Sequence, residues 1–214
     1  MAISKANFNS FNVTPTASKF ITFNSSNNGL AADDVGGALQ LISTQTASNS
    51  STISFTSGID STYKEYIFKF YNCHPATDNV DFTFQGSTNN GSSYGVAITS
   101  SHFRTYHDEA DSGTALEYST SDDLHNSTNY QVLAASIGNE NDESVSGTLH
   151  LFDPSNTTFV KNFICESNNS NYNIYTKQQY VGGRLDTTSA IDAIQFKMSS
   201  GNIDSGVIKL YGVN

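Results

Sequence analysis

The stretch SHFRTYHDEADSG gathers His102, His107, Asp108, Glu109 and Asp111, residue types that ligate metals or move protons. A zinc-type site wants paired ligands at i, i+2 or i, i+4 on a rigid element, and His102 with His107 offers neither spacing. The three carboxylates could supply oxygens to calcium, yet the order of an EF-hand loop is not met. A solvated acidic loop is expected instead, and GNENDES, with Glu140, Asp142 and Glu143, is expected to be a second. Nucleophilic catalysis has no foothold. The sequence contains no Gly-x-Ser-x-Gly elbow, no cysteine-protease surroundings and no Walker-type phosphate loop. Carboxylates for glycoside hydrolysis must flank a cleft, and here the acids gather in turns. No enzymatic activity, cofactor or metal is therefore expected. The tyrosines of NYNIYTKQQY leave two readings open. Set among Asn and Gln, Tyr172, Tyr175 and Tyr180 could stack on sugar rings and hydrogen-bond their hydroxyls, or pack as cross-strand aromatics.

The elements that must position these side chains are strands. From Thr52 onward, apolar residues recur at period two in segments such as EYIFKFYN, NVDFTFQGS, YQVLAASIG, SVSGTLHLF and TTFVKNFICES. Val80, Phe82 and Phe84 share one face, and Asp81, Thr83 and Gln85 the other. Val145, Gly147, Leu149 and Leu151 likewise alternate with Ser146, Thr148 and His150. Such alternation is the mark of antiparallel sheets buried on one side. STNNGSS, DEADSG, GNENDES and DPSNT have the chemistry of turns. About ten strands at this spacing predict an all-β fold, an antiparallel β-sandwich of jelly-roll type over residues 51–214. Its last two strands, AIDAIQFKMSS and SGVIKLYGV, are joined at SSGNIDSG by what reads as a tight, hairpin-like connection. The final strand is expected to be a paired member of the sheet. Cys73 and Cys165 fall in strand patterns and read as buried free thiols; a disulfide between them cannot be read from the sequence.

Residues 1–50 differ. In GLAADDVGGALQLI, Asp33 or Asp34 can cap a short helix along which Val35, Ala38, Leu39 and Ile42 form an apolar stripe. Gly36 and Gly37 cost such a helix about 1 kcal/mol each, so it needs a partner surface. That surface is another chain, making the stripe an oligomerisation or attachment device, or the protein's own domain. STQTASNSS has the composition of a flexible linker.

Composition sets outer limits. The chain is 36% hydrophobic and only 14% charged, with 14 Phe and 11 Tyr, which suits a folded protein with a hydroxyl- and amide-rich surface. A formal charge of -10 repels phosphate backbones and anionic lipid, so nucleic acid and membrane surfaces are not expected partners. No apolar run reaches transmembrane length, and MAISKANFNSFN lacks the apolar core of a signal peptide, so synthesis in a cytoplasm is expected.

STYKEYIFKFYNCHPATDNVDFTFQGSTNNGSSYG together with IDAIQFKMSSGNIDSGVIKLYGV resembles a β-rich module of virion appendage and tail-fibre proteins of tailed phages, notably cyanophages. AADDVGGALQLI is similar to an element that precedes trimeric regions in phage fibres. The resemblance implies a non-enzymatic virion structural protein, a homotrimer attached through its N-terminal segment to other virion proteins and presenting a jelly-roll head. A capsid decoration or cement protein, or a receptor-recognition module for host surface glycan, are its alternatives. The chain is short for a long fibre.

Overall fold

The computed structural model describes residues 19–23, 30–34 and 38–214, divided into two compact units after Ala38. In the first unit, β1 (Lys19–Phe23) and β2 (Leu30–Asp34) form an antiparallel pair with Lys19 opposite Asp34 and Phe23 opposite Leu30. The second unit is built from β3 (Leu39–Ser50), β4 (Ile53–Phe55), β5 (Glu65–Pro75), β6 (Val80–Ser87), β7 (Ile98–Asp108) and β8 (Thr114–Tyr118). It continues with β9 (Gln131–Ile137), β10 (Val145–Phe152), β11 (Lys161–Asn171), β12 (Tyr175–Leu185), β13 (Ala193–Met198) and β14 (Ile203–Val213). These strands form one antiparallel sheet, and no helix occurs among the described residues.

The sheet consists of two runs. One is ordered β3-β14-β5-β10-β11-β12-β7-β8 and the other β9-β6-β13-β4; between β9 and β11 the ladder reduces to a single pair, Asn171 with Ile137. The ends of the path, β3 and β4, touch without a ladder, so the sheet nearly closes on itself.

Aromatic side chains show why it curls. Phe55, Phe82, Phe84 and Phe196 from the shorter run meet Phe68, Phe70 and Phe163 from the longer one. Phe55 lies 5.3 Å from Phe68, Phe68 5.4 Å from Phe196, Phe70 5.1 Å from Phe82 and Phe84 5.0 Å from Phe163. Tilted and edge-on contacts of this kind add to the burial of the rings themselves.

β11 alternates without interruption between buried and exposed residues. Its inward side chains begin with Lys161, whose Nζ donates to the carbonyls of Phe159 (2.7 Å) and Thr187 (3.2 Å). Phe163 and Cys165 follow, and then the inward face turns polar at Ser167, Asn169 and Asn171. Those three side chains donate to the main-chain carbonyls of Leu133, Ala135 and Ser136 on β9, at 2.8, 3.5 and 2.6 Å. Side chains thus close the seam that the backbone ladder leaves open, because a buried carbonyl without a partner is costly.

Each strand expected from period-two patterning has a counterpart, but several expectations are corrected. The helical stripe is one: Leu39 and Ile42 lie in β3, Ala38 precedes it in a bend, and Val35 lies outside the described residues. Pairing with β14 from Val213 to Ile203 supplies β3 with a ladder along its length, shifted in register between Leu210 and Tyr211, which outweighs weak helix propensity beside two glycines. Ile42 packs on the core, whereas Leu39 and Leu41 are exposed. STQTASNSS, expected as a linker, forms the second half of the same strand, so the compact unit begins at Leu39 and not after Ser50.

SSGNIDSG is not a hairpin. It carries the chain from β13, which pairs with β4 and β6, to β14, which pairs with β3 and β5, turning at Gly201 with φ +70°. Most of the polar face of β6 is also buried: Thr83 donates to Lys197 O, and Gln85 to the carbonyls of Thr128 and Asn129, while Asp81 is half-buried. Cys73 and Cys165 are buried and unpaired.

Candidate functional site

The ladders define two ends. Leu39 stands opposite Val213, Val213 opposite Glu65 and Glu65 opposite Phe152, so β3 begins at the end of the sheet where β5 begins and β10 stops. At the other end lie Ser50, Ile203, Pro75 and Val145, and there Asn171 pairs with Tyr175 and Tyr175 with Asp108. Three connections therefore meet far from Leu39: β7–β8, β9–β10 and β11–β12.

Between these connections opens a cleft of about 600 Å³. His107, Asp108 and Glu109 line it from one side, Glu140, Asp142 and Glu143 from another, and Tyr172, Ile174 and Tyr175 from the β11–β12 tip. The two acidic loops, distant in sequence, share one space with two of the three singled-out tyrosines. Each loop is internally ordered. Asp108 accepts from the Ser112 hydroxyl and from the Ser112 N–H (2.8 Å), and the Ser112 hydroxyl, with the Gly113 and Ser112 amides, holds its pKa below the usual carboxylate value. Glu143 accepts the Glu140 N–H at 2.8 Å, and His107 Nε2 lies 3.1 Å from Asp111 Oδ1. These carboxylates accept hydrogen bonds and offer none.

Strain marks the tip. Ile174 has φ +64°, a region a β-branched side chain rarely enters, and its side chain is 65% exposed. Asn171 holds it there: its Nδ2 donates to Ser136 O at 2.6 Å while its Oδ1 accepts the Asn173 N–H at 2.9 Å. Tyr175 is fixed edge-on to Tyr106, with ring centroids 5.4 Å apart, whereas Tyr172 projects with less support.

Tyr172 and Tyr175 also line a second, smaller cleft of about 260 Å³ that contains Arg104, Tyr106, Glu117 and Lys177. Arg104 is engaged, its Nε with Glu117 at 2.8 Å and its Nη1 with Asp122 at 3.0 Å. Lys177 is half-buried, and burial, then the nearby Arg104 charge, pushes its pKa down. Asn171, Ile174, Arg104 and Lys177 were not singled out in the sequence. For Asn171 a signal existed, since strict alternation from Phe163 puts it on the inward face.

Tyr180 lies elsewhere. It sits mid-strand on β12, stacked on Phe103 at 4.9 Å with an interplanar angle of 14°. Among the described residues, no group of three or more His, Cys, Asp or Glu side chains is arranged to hold a metal ion.

The chain matches no known family model, no curated protein and no solved structure. The likeness to phage appendage modules therefore rests on the quoted sequence motifs alone.

Proposed function

We propose that this chain is a non-enzymatic structural protein of a phage virion, a tail fibre or particle appendage, whose jelly-roll head is presented by an N-terminal oligomerising segment and recognises host surface glycan. The observation that carries this reading is the polarity of the β-unit. Its first strand starts at one end of the sheet, and Tyr172, Tyr175, the acidic loops and the strained Ile174 collect at the other. An anchored head needs that arrangement: attachment on one side, contact on the opposite one. The facing of β4, β6 and β13 against β5 and β11 across aromatic rings suits a jelly-roll sandwich. The cleft's chemistry suits sugars. Tyrosine rings offer faces for C–H groups, and carboxylates that only accept will pair with hydroxyl donors and repel phosphate.

Light scattering on the full chain tests the assembly. A trimer of the 23.1 kDa chain that becomes monomeric in residues 39–214 is expected, and a monomeric full chain overturns the oligomer. For the tip, a glycan array compares wild type with Tyr172→Ala, Tyr175→Ala. Loss of signal for at least some glycans in the double variant is expected, and an unchanged pattern removes the tip from recognition.

A further inference from the structure

The outward face of β11 is polar at Asn162, Glu166, Asn168 and Ser170, with one exception: Ile164, which is 51% exposed. Opposite Ile164 on β12 is Gly182, and opposite Gly182 on β7 is Ser101. A side chain at Gly182 would meet no atom within 4 Å of its Cβ, so the strand carries an open hollow there. The stacked rings of Phe103 and Tyr180 form one wall and Ile164 the other, enclosing about 330 Å³. Phe103 is 44% exposed. Hydrogen-bonding groups stand around this apolar floor: Ser101, Thr148, the Glu166 carboxylate held by Gln178 Nε2 at 2.9 Å, and the His150 ring held by Glu65 at 2.5 Å.

We infer that this lateral hollow is a binding site for a neutral saccharide ring, with its C–H face on the Tyr180–Phe103 wall and its hydroxyls on the polar rim. The site rests on the glycan-recognition part of the function proposed above and adds a second face to it, separate from the tip. Three features select the ligand. The lining contains no Lys or Arg and one carboxylate, on a chain of net charge -10, which disfavours sialylated, sulfated or phosphorylated sugars. An apolar side chain from a partner protein would bury the rim groups without pairing them, whereas a sugar pairs them. The floor is one missing side chain wide, which suits a single ring.

Gly182→Val is the discriminating variant, because an added Cβ there meets no atom within 4 Å and a β-branched side chain, which strands accommodate, would occupy the hollow. The full chain is titrated by calorimetry with glucose-, galactose- and mannose-terminated oligosaccharides and with a sialylated one. Binding of at least one neutral oligosaccharide at millimolar concentration is expected, weakened about tenfold or more by Gly182→Val and by Tyr180→Ala. The binding that Gly182→Val removes should persist as a separate component beside any tip binding, and Gly182→Val should melt no lower than wild type. Binding lost at the tip variant but kept in Gly182→Val overturns the lateral site and leaves the tip intact. Absence of neutral-sugar binding to wild type overturns it, as does a preference for the sialylated probe. Self-association abolished by Gly182→Val gives the hollow to a second copy of the chain, which also overturns it.

Discussion

His102 is fully enclosed, with its Nε2 3.1 Å from Gln179 Oε1 and its Nδ1 without a hydrogen-bond partner among the described residues. Gln179 uses its Nε2 to donate to Asn169 at 2.6 Å, and its Oε1 also accepts the Ala135 N–H at 3.0 Å. The oxygen therefore faces His102, whose proton sits on Nε2. Burial pushes the His102 pKa down, against the raising influence of the Asp122 charge. The unfolded chain then takes up a proton below pH about 6.5 that the folded chain refuses, so stability falls as pH drops through that value. Asp81 has the opposite sign: burial raises its pKa, which favours the fold at low pH and costs stability as pH rises. Comparing melting between pH 7.5 and 5 in wild type and His102→Gln isolates the histidine. Wild type should lose up to about 1.4 kcal/mol more per pH unit than the variant; parallel curves would mean that His102 is charged in the fold. The thiols give a second check at this scale. Burial raises the pKa of Cys73 to about 12 and that of Cys165 as well, so neither should react with a disulfide reagent at pH 8 until the protein is denatured.

At the scale of elements, the seam between β9 and β11 separates what the sequence shows from what it hides. Alternation reveals the strands from β4 onward because their inward residues are Phe, Ile, Leu and Val. Parity counted on from Phe163 also places Ser167, Asn169 and Asn171 inward, but polarity masks that signal, since polar residues in a strand read as its wet face. Alternation does not reveal β8, whose Leu116 and Tyr118 are exposed and which is held by its ladder to β7 and by Glu117 on Arg104. β3 was hidden for a related reason: its second half is uncharged and hydroxyl-rich, the composition of a linker, and only the β14 ladder makes it a strand. The candidate site was legible as residue types, in the acidic loops and tyrosines, but their meeting depends on three strand ends brought together by the ladder order. Mutation of the seam tests its weight. Ser167→Ala removes one hydrogen bond and should cost about 1 kcal/mol in chemical denaturation. Asn169→Leu takes from the buried Gln179 Nε2 its acceptor and from Ala135 O a donor, and should cost about 2–4 kcal/mol. Equal, small losses in both variants would mean that water or a shifted backbone satisfies these groups.

For the whole molecule, the question is where the folding unit begins. A boundary after Ser50 makes β3 dispensable; the observed division after Ala38 makes it part of the domain. β14 lies between β3 and β5 along its length, so removing β3 would turn an interior strand into an edge and open its backbone groups to water. It would also strip Ala47 from the core and Ile42 from the core's margin. Residues 39–214 should therefore melt within a degree or two of the full chain. Residues 51–214 should be less stable by about 2–4 kcal/mol, from lost burial and lost ladder bonds, which lowers Tm by roughly 5–15 °C for a domain of this size. Amide exchange supplies the site-resolved version of the same test. In the shorter fragment, protection should drop along β14 at the amides that face β3 and persist at those that face β5, because only one of its two ladders is removed. If both fragments melt together and β14 keeps its protection, β3 is an appendage to a sheet that is complete without it, and the compositional boundary at Ser50 is the physical one.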